Sequence, residues 1–366
     1  MVNLKDGYEE IIPGMYKQGE GIKLQVDAEY APLKACAVGN AAAAPYIPNP
    51  NTWELKNLFK HGTGILKELT SKYPGQSMKE VRPDLYEKLV DESDQLAQAY
   101  RDNGVKVVRF DGDEYPEAIL NYNFSWSKQK QYSLQAHGAG DVIGNCFLGV
   151  WEVTPNQCAE LIIRDAMNCI MHNDPNAVWL TSPPMWPTVD RRPVGPFTCA
   201  DFLVFEGIVF VGIGVDNAAA VNDLTVPRSA NDEYTTEIFR RMLKPFGWDV
   251  KPLYFDSRFG YHIDVVFKPI ERGLMLGPGE EGLWHGLPAE LKDWEILKVD
   301  ADEVAKGACN AVALGNKKVL IRKGVPKVVK ELEKRNFEVI EIDFEVNWDM
   351  SGSGIHCSTL QLWREF

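Results

Sequence analysis

Short apolar runs alternate with polar, glycine-containing turns along most of the chain. In Asp141–Val150, two apolar runs flank Gly144-Asn145, a pattern typical of two short β-strands joined by a tight turn. We predict a helix over residues 157–173 and a further strand at Val178–Thr181. Together these elements form a strand–turn–strand–helix–strand unit.

Variants of this unit recur about five times between Leu33 and the C-terminus, although the copies differ in sequence. The first copy has a strand at Leu33–Asn40, a helix at about 80–103 that ends at Asn103-Gly104, and a strand at Val105–Phe110. The later copies are predicted over the following segments: strands around Glu206-Gly207 in Phe202–Ile213, helix 234–245 and strand Asp249–Phe255; strands His262–Phe267 and Gly273–Leu276, a loop or short helix at 280–292 and strand Glu295–Val299; strands near 309–314 and 317–322, helix 326–335 and strand Phe337–Asp343.

A ring of such units would place the ends of several first strands around one central cavity. We therefore expect an α/β fold with a single catalytic domain over residues 31–366, preceded by an irregular N-terminal arm over residues 1–30. Pro and Gly cluster between the units, and no linker divides the chain into two domains.

Composition narrows the range of partners. The formal net charge is −13 and no Lys/Arg cluster stands out, which argues against binding to nucleic acid or to an anionic membrane. No apolar run approaches the roughly 18 residues of a membrane span, and residues 1–30 lack the apolar core of an export signal. We expect a cytoplasmic protein that acts on a small molecule, and the composition is compatible with a homo-oligomer.

The seven cysteines are odd in number, widely spaced and without a Cys-x-x-Cys pair, so neither a disulfide framework nor a cysteine-rich zinc site is expected. The histidines show no ligand spacing either, and we predict no metal and no cofactor. In a reducing compartment every cysteine can remain a free thiol.

One of these thiols, Cys357, follows the small-residue run Ser351–Gly354 near the C-terminus. Glycine allows a tight turn or a close approach to a ligand, so this run can direct the thiol into a cavity. We predict that Cys357 is a covalent nucleophile and that Ser353 and Gly354 contact the substrate.

A histidine and a carboxylate stand two residues apart in Gly260–Phe267. If this segment is a strand, His262 and Asp264 share one face while Ile263 points into the packing. Such a pair, facing a cavity that also holds Cys357, could activate first a thiol and then a water molecule. A histidine that only stabilises the start of the strand is the competing interpretation.

These motifs together resemble those of the amidinotransferase and arginine deiminase superfamily. The resemblance rests on Gly352–Cys357, which ends in His-Cys, on the His262-x-Asp264 pair, and on the stretch Phe197–Phe202. It extends from about Leu33 to the C-terminus, and chain length and motif order are most similar to the glycine and inosamine-phosphate amidinotransferases. It implies a pentein-like propeller of five pseudo-symmetric ββαβ modules, with Cys357 as nucleophile, His262 as general acid/base and Asp264 as a substrate-facing carboxylate.

The chain departs from the family pattern where relatives hold a guanidinium. Gly138 and Thr198 stand where the family has acids, and Asp141 lies three residues after the first of these positions. Gly277–Glu280 replaces an Asn-Pro-Asp-Arg motif whose arginine binds the substrate carboxylate. Burying a guanidinium without paired carboxylates costs several kcal/mol. A neutral, flat N–C–N compound is therefore expected, with His137, Thr198 and Tyr261 as hydrogen-bonding residues.

Three functions follow. The first is a cysteine-dependent hydrolase of a neutral, heteroaromatic or amidine-like compound, such as a 2-nitroimidazole that releases nitrite; the resemblance includes a hydrolase of this kind. The second is an amidinotransferase or guanidino-compound dihydrolase, which gains support if Asp141 occupies the vacated acid position. The third is a non-catalytic scaffold on the same propeller, which the presence of both Cys357 and His262 disfavours.

Overall fold

The computed structural model describes residues 14–40, 47, 64–109, 136–150, 159–183 and 197–366. The first thirteen residues of the predicted arm lie outside these ranges, as does Cys158. Across the described residues, no helix combines the length and apolar character needed to cross a membrane.

Short strands and helices alternate along the chain. The strands are β1 Leu33–Val38, β2 Lys106–Val108, β3 Gly140–Ile143, β4 Cys146–Gly149, β5 Val178–Thr181, β6 Phe202–Phe205, β7 Ile208–Val215, β8 Asp249–Asp256, β9 Lys268–Glu271, β10 Leu274–Gly277, β11 Glu295–Lys298, β12 Val312–Gly315, β13 Lys318–Arg322, β14 Glu338–Ile342 and β15 Thr359–Arg364. The α-helices are α1 Met15–Gln18, α2 Gly64–Lys72, α3 Met78–Val81, α4 Pro83–Asp102, α5 Ala159–Asn173, α6 Glu233–Leu243, α7 Ala301–Val304, α8 Pro326–Lys334 and α9 Glu345–Ser351.

The described strands form five three-stranded sheets with one shared pattern. Their strand orders are β15-β1-β2, β3-β4-β5, β6-β7-β8, β9-β10-β11 and β12-β13-β14. In each sheet the middle strand pairs antiparallel with one neighbour and parallel with the other. The prediction of five ββαβ modules in an α/β propeller is confirmed.

Local sequence explains the hairpins. In two modules the antiparallel pair closes over a turn that glycine permits: Gly144 has φ +57° between β3 and β4, and Gly207 has φ +76° between β6 and β7. A parallel pair cannot close over a tight turn, so the chain crosses over before the third strand. Helices α5, α6 and α8 make this crossover in three modules, and the 3₁₀ helices Glu280–Gly282 and Ala289–Leu291 lie in the crossover between β10 and β11.

The first sheet joins the two ends of the described chain. Strand β15 pairs antiparallel with β1, with Val38 opposite Thr359 and Leu33 opposite Arg364. Helix α9 and strand β15, which lie on either side of Cys357, were not predicted. The ring therefore closes just after the predicted nucleophile.

Part of the segment assigned to the N-terminal arm packs against several modules. The Gln25 amide donates to Leu362, Val26 and Gly144 exchange two backbone hydrogen bonds, and the Glu29 amide donates to the carbonyl of Val204. Leu24 and Val26 are buried in the same apolar cluster as strands β1, β3 and β15. This segment thus bridges three of the five sheets.

The predicted strand at His262–Phe267 is wrong. His262 is extended, but Ile263–Val265 form a 3₁₀ helix, and strand β9 begins only at Lys268. The Asp201 carboxylate accepts from the amide of Ile263 at 3.0 Å, and the Asp264 amide donates to the carbonyl of Ala200 at 3.3 Å. These contacts use backbone groups that a sheet would have paired, so the alternation of apolar residues here does not reflect a strand.

Candidate active site

The loop between α9 and β15 carries Cys357 and is shaped by two glycines. Gly352 ends α9 in the left-handed conformation with φ +64°. A Cβ atom on Gly354 would lie 2.5 Å from the side-chain oxygen of Asn310, so only glycine allows this close approach. Ser353 and Gly354 are buried beside Cys357, whose own exposed fraction is 8%.

Two side chains hold the thiol. Its Sγ donates to Oδ2 of Asp264 at 3.2 Å and accepts from Nδ2 of Asn310 at 3.1 Å. The Cys357 amide also donates to Oδ1 of Asn310 at 3.2 Å, so Asn310 fixes both the backbone and the sulfur. Burial and the charge of Asp264 raise the pKa of the Cys357 thiol well above its ordinary value. The resting sulfur is therefore a thiol whose proton points to Asp264.

The Asp264 carboxylate is completely buried and ionised. Burial alone would raise its pKa, but hydrogen bonding to His356 and the charges of His356, His262 and His137 lower the pKa to about 2. Oδ2 accepts from Nδ2 of Asn310 at 3.1 Å and lies 2.9 Å from Nδ1 of His356. Oδ1 is buried without a hydrogen-bond partner among the described residues, which leaves a charged acceptor for another molecule.

The predicted general acid/base, His262, is oriented by Asp201. Its Nδ1 lies 3.2 Å from Oδ1 of Asp201, and the Asn231 amide donates to Oδ2 of the same carboxylate at 3.2 Å. The ring packs edge-on against Tyr261, with centroids 4.3 Å apart. The side chain of His262 keeps an exposed fraction of 16%, whereas Asp201 is fully buried. An aspartate on Nδ1 leaves Nε2 as the nitrogen that can accept or donate a proton.

Neither Asp201 nor Asn310 is among the site residues predicted from the sequence. For Asp201 the signal was its place in the Phe197–Phe202 stretch that carried the family resemblance. For Asn310 there was no signal, because its role depends on contacts with residues about 46 positions away.

His137 lies beside the Cys357 backbone. Its amide donates to the carbonyl of Cys357 at 3.2 Å, and its Nε2 lies 3.4 Å from Oδ2 of Asp141. Burial disfavours charge on His137, but the hydrogen bond and charge of Asp141 raise its pKa overall. Asp141 also accepts from the Val142 amide at 2.8 Å. Asp141 is thus engaged by its own strand and by His137, and Gly138 follows His137 in the short 3₁₀ helix Ala136–Ala139.

Thr198 stands where the family resemblance expects an acid. It is buried, its Oγ1 accepts from the amide of Ala200 at 3.2 Å, and Asn231 bonds both its amide and its carbonyl. This network ties Thr198 to Asp201 through Asn231 and brings no charge to the position.

His137, Asp264 and His356 each place one ligand-type atom within 4.8 Å of the other two. The 2.9 Å contact between His356 and Asp264 requires a proton between nitrogen and oxygen, since both atoms would otherwise be acceptors. The arrangement is that of a hydrogen-bonded cluster, and we assign no metal to it.

No protein-family model matches the chain. One curated relative, the uncharacterized protein YkgA of Bacillus subtilis, is 26% identical over 165 residues. The match covers 45% of this chain and 51% of YkgA, so it spans about half the length of each protein.

Solved structures share the whole fold. SxtG, an amidinotransferase of saxitoxin biosynthesis from Microseira wollei, has a TM-score of 0.72 at 18% identity, with 94% of this chain and 98% of SxtG covered. The inosamine-phosphate amidinotransferase StrB1 of Streptomyces griseus has a TM-score of 0.67 at 16% identity over 94% and 98%. The N-terminal domain of ArgZ, a cyanobacterial arginine dihydrolase, has a TM-score of 0.56 at 15% identity over 90% and 97%. The chain therefore has the fold of these amidinotransferases and of the arginine dihydrolase, as predicted.

Proposed function

We propose that this protein is a cysteine-dependent enzyme that attacks the carbon of an N–C–N group through a covalent thio-adduct. One observation carries the proposal. The Cys357 thiol donates to an ionised carboxylate, Asp264, whose second oxygen is buried and without a partner among the described residues. An N–H group of a bound substrate would satisfy that oxygen and place the adjacent carbon near the sulfur.

The chemistry then has two steps. In the first, the thiol releases its proton to solvent, the sulfur bonds to the carbon, and the leaving group departs with its electron pair and a proton from His262. In the second, His262 takes a proton from water, the water oxygen bonds to the same carbon, and the C–S bond breaks as the sulfur regains a proton from solvent. The sum consumes one water and releases the leaving group in protonated form.

The substrate that we favour is neutral and flat, and a 2-nitroimidazole that releases nitrite is the test compound. Thr198 and Gly138 bring no charge to the two positions where the family resemblance expects acids, and Asp141 pairs with His137. Asp264 is therefore the one carboxylate described in direct contact with the thiol. A guanidinium needs more than one such partner to offset its loss of hydration.

A guanidino substrate is the second candidate, and Asp264 itself favours it. Its Oδ1 is both ionised and unpaired in a buried setting, which is a costly state that a cationic ligand would relieve. The reaction would then be an amidino transfer or a dihydrolase reaction, as in the enzymes named above.

A substrate panel tests the choice. The protein is incubated with 2-nitroimidazole, with arginine alone, and with arginine plus glycine, and nitrite, ornithine, urea and ammonia are measured. Nitrite without ornithine supports the hydrolase of a neutral substrate. Ornithine from arginine contradicts the argument from the missing acids and supports the second candidate. The Cys357→Ala variant is the matched control, and any product must disappear with it.

A further inference from the structure

A buried series of charged side chains leads to the Cys357 thiol, in the order Lys268, Glu29, His356 and Asp264. Lys268, the first residue of β9, forms an ion pair with Oε2 of Glu29. The same carboxylate oxygen lies 3.5 Å from Nε2 of His356, whose Nδ1 lies 2.9 Å from Asp264. All four side chains are at most 3% exposed, so the chain of contacts is shielded from water.

The two carboxylates beside His356 offer an acceptor to each of its ring nitrogens. Each nitrogen of His356 faces an oxygen of a different carboxylate, and a ring with a proton on both nitrogens satisfies both contacts. The ammonium of Lys268 and the His356 imidazolium then balance the carboxylates of Glu29 and Asp264. With that form of His356 the four residues would be neutral as a whole, which favours burying so many charges together.

Glu29 comes from the segment that bridges three sheets, and hydrogen bonds to Val204 fix its position. Its amide donates to the Val204 carbonyl at 3.1 Å, and its Oε1 accepts from the Val204 amide at 2.9 Å. Burial alone would raise the pKa of Glu29, but the charges and hydrogen bonds of Lys268 and His356 lower it well below its ordinary range. The carboxylate is therefore ionised and aimed at His356.

We propose that Glu29 and Lys268 are positioning residues that hold His356 in its doubly protonated form against Asp264, and thereby offset the negative charge of that carboxylate beside the Cys357 sulfur. This role rests on the proposed function of Cys357 as nucleophile. Without the imidazolium, ionising the thiol would place two negative charges 3.2 Å apart in a buried site. With the imidazolium in place, ionising the Cys357 thiol costs less free energy.

Other charged groups face this series of side chains, and the variants used in the test leave them in place. His137 packs edge-on against His356 with ring centroids 4.6 Å apart and pairs with Asp141. The positive charge of Arg364 acts on both Glu29 and Lys268, and the charge of His262, which pairs with Asp201, acts on Asp264. They contribute to the field at the sulfur in the parent protein and in the variants alike.

The test measures the ionisation of Cys357 without any substrate. The rate of Cys357 alkylation by iodoacetamide is followed across pH by mass spectrometry of the peptide that contains it, since the rate follows the thiolate fraction. The main variant is the double substitution Glu29→Gln/Lys268→Met, which removes both members of the buried pair and leaves no unpaired charge. We expect its alkylation profile to move to higher pH. At pH 7.5 its alkylation rate should be lower than the parent's by a factor of about ten or more.

A second variant, His356→Gln, keeps a hydrogen-bond donor for Asp264 but cannot carry a positive charge, and it should shift the profile in the same direction. The control is Glu92→Gln, another buried carboxylate, which accepts from the amides of Val346 and Asn347. Its profile should equal that of the parent. Circular dichroism and thermal melting establish that each variant is folded.

A folded double variant or a folded His356→Gln variant with the parent's alkylation profile would overturn the proposal. A shifted profile supports it whatever the substrate panel shows, because alkylation needs no turnover. If the profile shifts and no compound in the panel reacts, it is the proposed substrate class that fails and not the positioning role.

Discussion

Oδ1 of Asp201 lies 3.2 Å from Nδ1 of His262 and at the same time accepts the Ile263 amide at 3.0 Å. One carboxylate oxygen thus fixes both the imidazole and the start of the 3₁₀ helix that carries Asp264. The relationship joins two parts of the site that lie 61 residues apart in sequence. It also leaves Nε2 as the ring nitrogen of His262 that can accept or donate a proton.

We expect the Asp201→Asn variant to lose turnover while it keeps its fold. An amide can accept from the Ile263 amide as before, but it no longer favours a proton on Nδ1 of His262. General acid–base catalysis contributes typically about 10²–10⁴-fold, and kcat should fall within that range on whichever substrate the panel identifies. An unchanged kcat would show that His262 does not move a proton in the rate-limiting step.

The Asp264→Asn variant should make the Cys357 thiol more acidic. Asp264 raises the pKa of this thiol through its charge and by accepting its hydrogen bond, so a neutral amide lowers that pKa. Iodoacetamide should then alkylate Cys357 about tenfold faster or more at pH 7.5, while turnover is lost.

The matched control for this variant is Glu303→Gln, since Glu303 is an equally buried acid that accepts from the amides of Lys327 and Val328. Its alkylation profile should not move. Slower alkylation of Asp264→Asn would contradict the account of the resting thiol.

Stability should depend on pH through Asp264. Its pKa is about 2 in the folded protein against an ordinary value of 3.8, so folding favours the ionised form. A lowered carboxyl pKa stabilises the protein above the unfolded value, and this contribution is lost as pH falls through the folded value. The free energy of unfolding should fall from about pH 5 to pH 2, with about 2 kcal/mol due to Asp264. Urea denaturation at several pH values measures this, and the Asp264→Asn variant should show a smaller decrease.

Gly354→Ala should disturb both stability and the thiol. The added Cβ would meet the Asn310 side chain at 2.5 Å, and Asn310 holds Cys357 by two hydrogen bonds. We expect a loss of about 1–3 kcal/mol in the free energy of unfolding together with slower turnover. Gly64→Ala is the control because a Cβ there meets nothing within 4 Å, and it should be neutral or slightly stabilising at the start of α2. Equal stability of the two variants would exclude a tight contact at Gly354.

The sequence predicted the modules because their signals are local. Apolar runs on either side of Gly144 or Gly207 define the hairpins, and the glycine turns have the positive φ that this interpretation required. The same local reasoning failed at Gly260–Phe267, where alternating Ile263 and Val265 mimic a strand. Contacts from Asp201 and Ala200, which no periodicity encodes, turn that segment into a 3₁₀ helix instead.

The same contrast between local signals and long-range contacts applies to the candidate site. Cys357, His262 and Asp264 stand in short motifs and are therefore predicted from the sequence, and the structure places Asp264 against both the thiol and His356. Glu29 could not be identified, because its contact with Lys268 spans 239 residues and its segment has no motif. Long-range contacts of this kind exist only once the ring is closed.

The mass of the protein during turnover tests most directly whether Cys357 is a covalent nucleophile. The protein is mixed with the substrate that the panel identifies, quenched in acid within one turnover, and analysed intact and as peptides. We predict an added mass on the peptide that contains Cys357, formed and lost at rates compatible with kcat, and neither adduct nor product with Cys357→Ala. Product formation by Cys357→Ala at the parent's rate would contradict the assignment of Cys357 as the nucleophile.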